Sequence, residues 1–127
     1  MTKEQEAKIK AIITSHPEIK LAYLFGSQAT GNTGPMSDYD FAIYIEPKEM
    51  YKLQYPLIGE LCSALKTNAV DVTLLNDPGS PELKYAIISE GIILYEEEPY
   101  RLLLEPLILN DYFDFRDGLR KYGLTQT

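Results

Sequence analysis

The sequence predicts an α/β (α+β) fold in one domain, residues 1–127, with a core over about 1–95 and a helical tail over about 96–127. Three observations carry this. Segments of helical and of strand period alternate along the chain. A length of 127 residues suits one domain rather than two. A single cysteine, Cys62, can form no internal bridge, so apolar burial must hold the fold, and a 45% hydrophobic content is ordinary for that.

The elements follow in order. Thr2-x-x-Gln5 is a capping box, and Ile9, Ile12 and Ile13 behind it form one stripe at helical spacing. Pro17 stops that helix. Ile19 to Phe25 is a short run with β-branched and aromatic content, read as a strand. Gly26 to Ser37 is a loop rich in Gly, Ser, Thr and Pro. Asp38 to Ile45 is the next strand, with Tyr39, Phe41, Ile43 and Ile45 on one face and Asp38, Asp40, Ala42 and Tyr44 on the other. Past Pro47, Glu49 to Leu65 is helical, and Pro56 predicts a kink or a restart. Val70 to Leu75 is a third strand, with Val70, Val72 and Leu74 opposed to Asp71 and Thr73. Asn76-Asp77-Pro78-Gly79 is a turn. Ser80 and Pro81 open a helix as N-cap and first position, and Gly91 closes it. Ile92 to Tyr95 is the last strand. Pro99 to about Tyr122 is helical, interrupted or started afresh near Pro106.

The formal charge is −7. An acidic surface repels phosphate backbones, which disfavours general nucleic-acid binding. No run reaches the roughly 20 apolar residues that span a bilayer. The polar start, Met1 to Glu6, is not a signal peptide, so the expected location is the cytoplasm. The acidity calls for either a basic partner or carboxylates that hold metal.

One stretch carries chemistry. A strand delivers Gly26-Ser27, and after ten intervening residues Asp38-x-Asp40 opens the next strand. Both aspartates project from one face, with Cβ atoms about 7 Å apart. Asp71 is a third carboxylate in an otherwise apolar strand. Carboxylates sharing a face repel one another and require positive charge. Mg²⁺ is the natural supplier, since it takes oxygen ligands and binds through a few carboxylates plus substrate phosphates. Gly26 lets backbone approach a phosphate, and Ser27 offers a hydroxyl and an N–H at the start of a helical turn. The set suits phosphoryl chemistry on a nucleotide, with two metals stabilising the attacking and leaving oxygens of an in-line displacement. Taken singly, each piece is commonplace: a Gly-Ser turn, a solvated Asp-x-Asp strand edge, an exposed aspartate. Their conjunction at fixed offsets is not.

Other residues read more plainly. His16, beside Pro17 at a helix end, is expected to be exposed, and Cys62 to pack in its helix. The ten tyrosines are amphipathic core or rim residues. Glu96-Glu97-Glu98 complements the dipole of the helix that follows Pro99. In the tail, Leu102, Leu109 and Phe113 recur near helical spacing, either to dock on the core or to meet a partner.

Gly26-Ser27, Asp38-x-Asp40 and Asp71 together resemble the DNA polymerase β-type nucleotidyltransferase superfamily, and the small size resembles its minimal nucleotidyltransferase (MNT) family. Leu24 to Gly31, Ser37 to Tyr44, Gly91 to Tyr95 and Asp111 to Phe115 are similar to the antitoxins of HEPN–MNT toxin–antitoxin pairs. The resemblance covers nearly the whole chain. It implies the polymerase β-type fold, a small mixed β-sheet flanked by helices. It implies an antitoxin that is a Mg²⁺-dependent protein adenylyltransferase, moving AMP from ATP to a tyrosine of a partner HEPN ribonuclease toxin, with no direct nucleic-acid or membrane partner. Asp38 and Asp40 would bind both metals. Asp71 would bind the catalytic metal and help activate the attacking hydroxyl. Gly26 and Ser27 would contact the triphosphate. The pattern departs at Thr30, where many members carry a basic residue, and Arg101, Arg116 and Arg120, the only arginines, all lie in the tail. The triphosphate then leans on metal, on backbone N–H groups and on Lys20, Lys48, Lys52 or Lys66. Two rivals remain open: a non-catalytic antitoxin that blocks its toxin by binding, and a small-molecule nucleotidyltransferase, for which 127 residues leave little room to build an acceptor site.

Overall fold

The computed structural model describes residues 1–31, 38–48 and 50–123, with Met50 described by its backbone. Along the chain come α1 (Lys3–Thr14), β1 (Ile19–Phe25), α2 (Ser27–Thr30), β2 (Tyr39–Ile45), α3 (Met50–Leu65), β3 (Val70–Leu74), α4 (Pro81–Glu90), β4 (Ile92–Glu96) and α5 (Tyr100–Lys121). The caps read from the sequence set several of these bounds. The Gln5 N–H donates to the Thr2 hydroxyl at 3.1 Å, while the Thr2 N–H donates back to the Gln5 side chain at 2.9 Å. Ser80 caps α4 by accepting from the Leu83 N–H at 3.2 Å.

Among the described residues four strands form one mixed sheet in the order β3-β2-β1-β4. β1 runs antiparallel to β2 and β4, and β2 runs parallel to β3. Strand alternation then sorts the core into two clusters. Phe41, Ile43, Ile45, Val72 and Leu74 meet Ile9 and Ile13 of α1 and Leu57, Leu61 and Leu65 of α3. On the other face Leu21, Tyr23, Ala42 and Leu75 lie under Ile87 of α4 and Leu104 of α5. The sheet is thus a middle layer, and both faces of its inner strands are covered. Just past β3, Asn76 folds its amide back onto β2. It accepts from the Ile45 N–H at 2.9 Å and donates to the Ile45 carbonyl at 2.6 Å. Among the described residues no helix is long and apolar enough to cross a membrane.

Several expectations need correction. α3 runs unbroken through Pro56 and α5 through Pro106. Both prolines are exposed, so the hydrogen bond each removes is lost on the solvent side, where a helix can bend without breaking its packing. The loop from Gly26 to Ser37 begins with a helical turn, α2, closed by Gly31 at φ 82°; positions 32–37 of that loop, and Glu49, lie outside the described residues.

The stripe of α5 that docks is Leu104, Ile108 and Tyr112. Ile108 is buried, and Tyr112 stacks on Tyr85 of α4 with ring centroids 3.9 Å apart. Leu102 and Phe113 of the expected stripe face water, and Leu109 is half-buried. α5 carries two apolar stripes of the same period, so spacing could not choose between them. His16 is half-buried rather than exposed, with Nε2 2.9 Å from Glu60 Oε2, tying the end of α1 to α3. Glu96 and Glu97 precede the first turn of α5 and are held by side chains, not by its dipole. Glu96 meets Arg101 at 3.3 Å and Glu97 meets Lys20 at 3.0 Å.

Candidate active site

Strand register assembles the site. Phe25 lies opposite Asp40 in the antiparallel pair, so the chain leaves β1 at Gly26-Ser27 where β2 begins. Asp40 lies opposite Asp71 in the parallel pair. Three adjacent strands therefore bring Gly26, Ser27, Asp38, Asp40 and Asp71 to one rim of the sheet. Neighbouring strands are about 4.8 Å apart, which makes the Asp40 and Asp71 side chains lateral neighbours. Asp38 and Asp71 are exposed, and Asp40 and Ser27 are half-buried. Farther along the same face, Ala42 and Leu75 disappear under α4. The carboxylates thus occupy the stretch of that face where the helical cover stops.

Electrostatics single out Asp40. Partial burial, then the charge of Asp71, then that of Asp38 hold its carboxyl above the usual carboxylate range. Among the described residues no salt bridge reaches any of the three aspartates. The donor chemistry fits a hard divalent cation: carboxylate oxygens on adjacent strands, lacking positive charge. Among the described residues no three Asp, Glu, His or Cys side chains stand close enough together to grip an ion as they are.

Gly26 has a second task that the sequence reading missed. Its φ is 75°, in the left-handed region, and a Cβ placed on it would lie 2.6 Å from Asp40 Oδ2. Approach to a phosphate was the reason expected for glycine here; room for the Asp40 carboxylate is the nearer one. The Gly26 carbonyl then accepts from the N–H groups of Ala29 and Thr30 at 3.1 and 3.2 Å, which winds the chain into α2 with Ser27 at its start. The strand pairing of Phe25 with Asp40 was the missing signal, and it is a long-range fact.

The four expected lysines separate. Lys20 stands at the opposite end of β1, bound to Glu97, and is corrected as a phosphate ligand. Lys48 and Lys52 follow the far end of β2. Lys66 sits between the end of α3 and the start of β3, at the rim end, although α3 covers the opposite face.

The polymerase beta nucleotidyltransferase family matches residues 7–100, which include all five rim residues. The protein adenylyltransferase MntA of Aphanizomenon flos-aquae (strain 2012/KM1/D3) is 34% identical over 96 residues, which are 68% of this chain and 63% of that protein. The match thus spans less than two thirds of that relative's length. Solved structures share the fold. A chain of a toxin–antitoxin crystal structure with AMP-PNP matches with a TM-score of 0.78 and 24% identity, over 92% of this chain and 94% of that one. A chain from the complex of a tri-AMPylated Shewanella oneidensis HEPN toxin with MNT antitoxin matches with a TM-score of 0.75 and 23% identity, over 96% and 95%. With its rim carboxylates inside the matched region, the chain belongs to the polymerase beta nucleotidyltransferase family.

Proposed function

We propose that this chain is the antitoxin of a HEPN–MNT pair and a Mg²⁺-dependent protein adenylyltransferase that moves AMP from ATP to a tyrosine of its HEPN ribonuclease toxin. The carrying observation is the rim itself: Asp38, Asp40 and Asp71 on adjacent strands beside Gly26-Ser27, without a partner cation among the described residues. Identity to an MntA adenylyltransferase and likeness in fold to a toxin–antitoxin pair crystallised with AMP-PNP support protein as acceptor and ATP as donor. The whole chain acts as one domain in the cytoplasm, its core about 1–95 and its tail about 96–127.

In the reaction the tyrosine oxygen attacks the α-phosphorus of ATP, the bond from that phosphorus to the bridging oxygen of the β-phosphate breaks, and pyrophosphate leaves. Asp71 takes the hydroxyl proton as the new bond forms. Ser27, through its hydroxyl and N–H, and the Gly26 backbone orient the triphosphate. Asp38, Asp40 and Asp71 would hold two Mg²⁺ ions, whose charge, when they are bound, stabilises the negative charge that develops on the oxygens around the α-phosphorus. Gly26 keeps Asp40 seated at the rim.

The test is incubation with ATP, Mg²⁺ and a HEPN-domain toxin encoded beside this chain. The toxin should gain the mass of one or more AMP units and lose ribonuclease activity, and Asp38→Asn should abolish both effects. An Asp38→Asn protein that still silences the toxin at a one-to-one ratio would convert the reading to a blocking antitoxin. Mass gain on a small molecule, with none on the toxin, would convert it to a small-molecule transferase.

A further inference from the structure

α5 is apolar on the side that faces water as well as on the side that docks. Leu102, Leu103 and Leu107 are 74%, 63% and 61% exposed, and Phe113 is 52% exposed. A surface helix ordinarily turns polar residues outward, and several large apolar side chains exposed on one helix mark a contact surface. Beside it, between the end of β4 and α5, lies an open groove of about 430 Å³ whose lining includes Glu96, Glu98, Arg101, Leu102, Pro106 and Leu109. Its floor is apolar and its lip is acidic. Arg101 offsets Glu96 and Glu105, and Lys20 offsets Glu97; Glu98 meets no cation among the described residues. All of α5 but Tyr100 lies beyond residues 7–100, the stretch that the family match covers.

We propose that the outward face of α5 and the adjoining groove dock the acceptor protein, through a segment of that partner bearing leucine-sized apolar side chains flanked by lysine or arginine. The inference rests on the reading of this chain as a transferase with a protein acceptor. Charge selects the occupant. Two copies of a chain at −7 repel one another overall, whereas a basic-flanked segment meets Glu98 and its neighbours favourably. Apolar side chains supply the affinity by covering Leu102 and Leu107, and the glutamates set orientation and encounter rate.

The experiment titrates the HEPN-domain toxin against the full chain and against Leu102→Asp/Leu107→Asp. Both leucines are exposed, so melting temperature and affinity for AMP-PNP with Mg²⁺ should be unchanged, while toxin affinity falls by about thirty-fold or more. Glu98→Lys should weaken binding by about three- to ten-fold and flatten its dependence on salt; it decides the matter should the double variant fail to fold. Wild-type affinity in these variants overturns the inference. So does a wild-type dimer in sedimentation that the double variant turns into a monomer, because a second copy would then cover the face. An unmutated chain that binds AMP-PNP but not the toxin removes the acceptor reading and this inference with it; that failure shows before any substitution, whereas failure of the surface alone shows only in the variants.

Discussion

The two ends of the sheet treat acidic side chains in opposite ways. At the end where β1 starts, Glu97 is held by Lys20 at 3.0 Å, and Arg101 bridges Glu96 and Glu105 at 3.3 and 3.0 Å. Glu105 also accepts the hydroxyl of Tyr23, so this network fastens α5 to the middle of β1. At the rim end Asp38, Asp40 and Asp71 share one face with no such partner among the described residues; partial burial, then the charges of Asp71 and Asp38, hold the Asp40 carboxyl above its usual range. The chain has cations enough to pair carboxylates where it needs architecture. Where it leaves them unpaired, the carboxylates repel one another, and a bound cation would relieve that repulsion.

Substitutions at the two ends should therefore behave oppositely. The largest effect is expected for Asp40→Asn. AMP transfer should fall by about 100-fold or more, read as AMP mass on the toxin, because the proposed mechanism assigns the Asp40 charge to holding metal. Stability without Mg²⁺ should hold or rise. The sign follows from the raised pKa: the fold disfavours ionised Asp40, so the wild type loses stability as pH rises from the ordinary carboxylate range through the raised value, and the amide escapes that loss. A marked drop in melting temperature in Asp40→Asn would place this aspartate with the structural carboxylates and collapse the contrast.

Gly26→Ala comes next. The new Cβ forces the Asp40 carboxylate to shift and strains a left-handed backbone, at a cost of about 1 kcal/mol or more. Transfer should drop by roughly ten-fold or more even when nucleotide still binds, since misplacement of a catalytic group weighs on the chemical step. Unchanged turnover would separate the glycine from Asp40.

The smallest effect belongs to the paired end. Tyr23→Phe should destabilise by about 1 kcal/mol in urea unfolding near pH 8, the usual worth of one hydrogen bond, with transfer intact. Burial, then the bond to Glu105, raise the Tyr23 pKa above its ordinary value. Its contribution is therefore present below about pH 10 and is lost as pH climbs past it. The gap between variant and wild type should narrow there. A gap that widened would reverse the assigned direction.

Much of this was readable beforehand, for local reasons. Period-two alternation in Asp38 to Ile45 and Val70 to Leu75 put the three aspartates on one face; Thr2, Ser80 and Gly91 marked helix ends through short-range hydrogen bonds, and Pro81 through its fixed φ. What escaped was set by distance or by degeneracy. Lys20 finds Glu97, and His16 finds Glu60, only after the chain has folded back on itself. The closeness of Gly26 to Asp40 depends on strand register. Whether Pro56 and Pro106 break their helices depends on which side meets water, and the choice of docking stripe on α5 depends on which of two equal periods meets the sheet.

The Asn76 amide has a consequence for the chemistry at the other end of the strands. A hairpin turn fixes the alignment of an antiparallel pair, but β2 and β3 run parallel and are joined by a long crossover that leaves their alignment free. A slip of one position would carry Asp71 to the side covered by α3 and bring a valine up beside Asp40. Asn76 presents one donor and one acceptor to both backbone groups of Ile45, as a further rung of the ladder would. It indexes the two strands as a key indexes a shaft, and so sets the spacing of two carboxylates several residues away that it never touches.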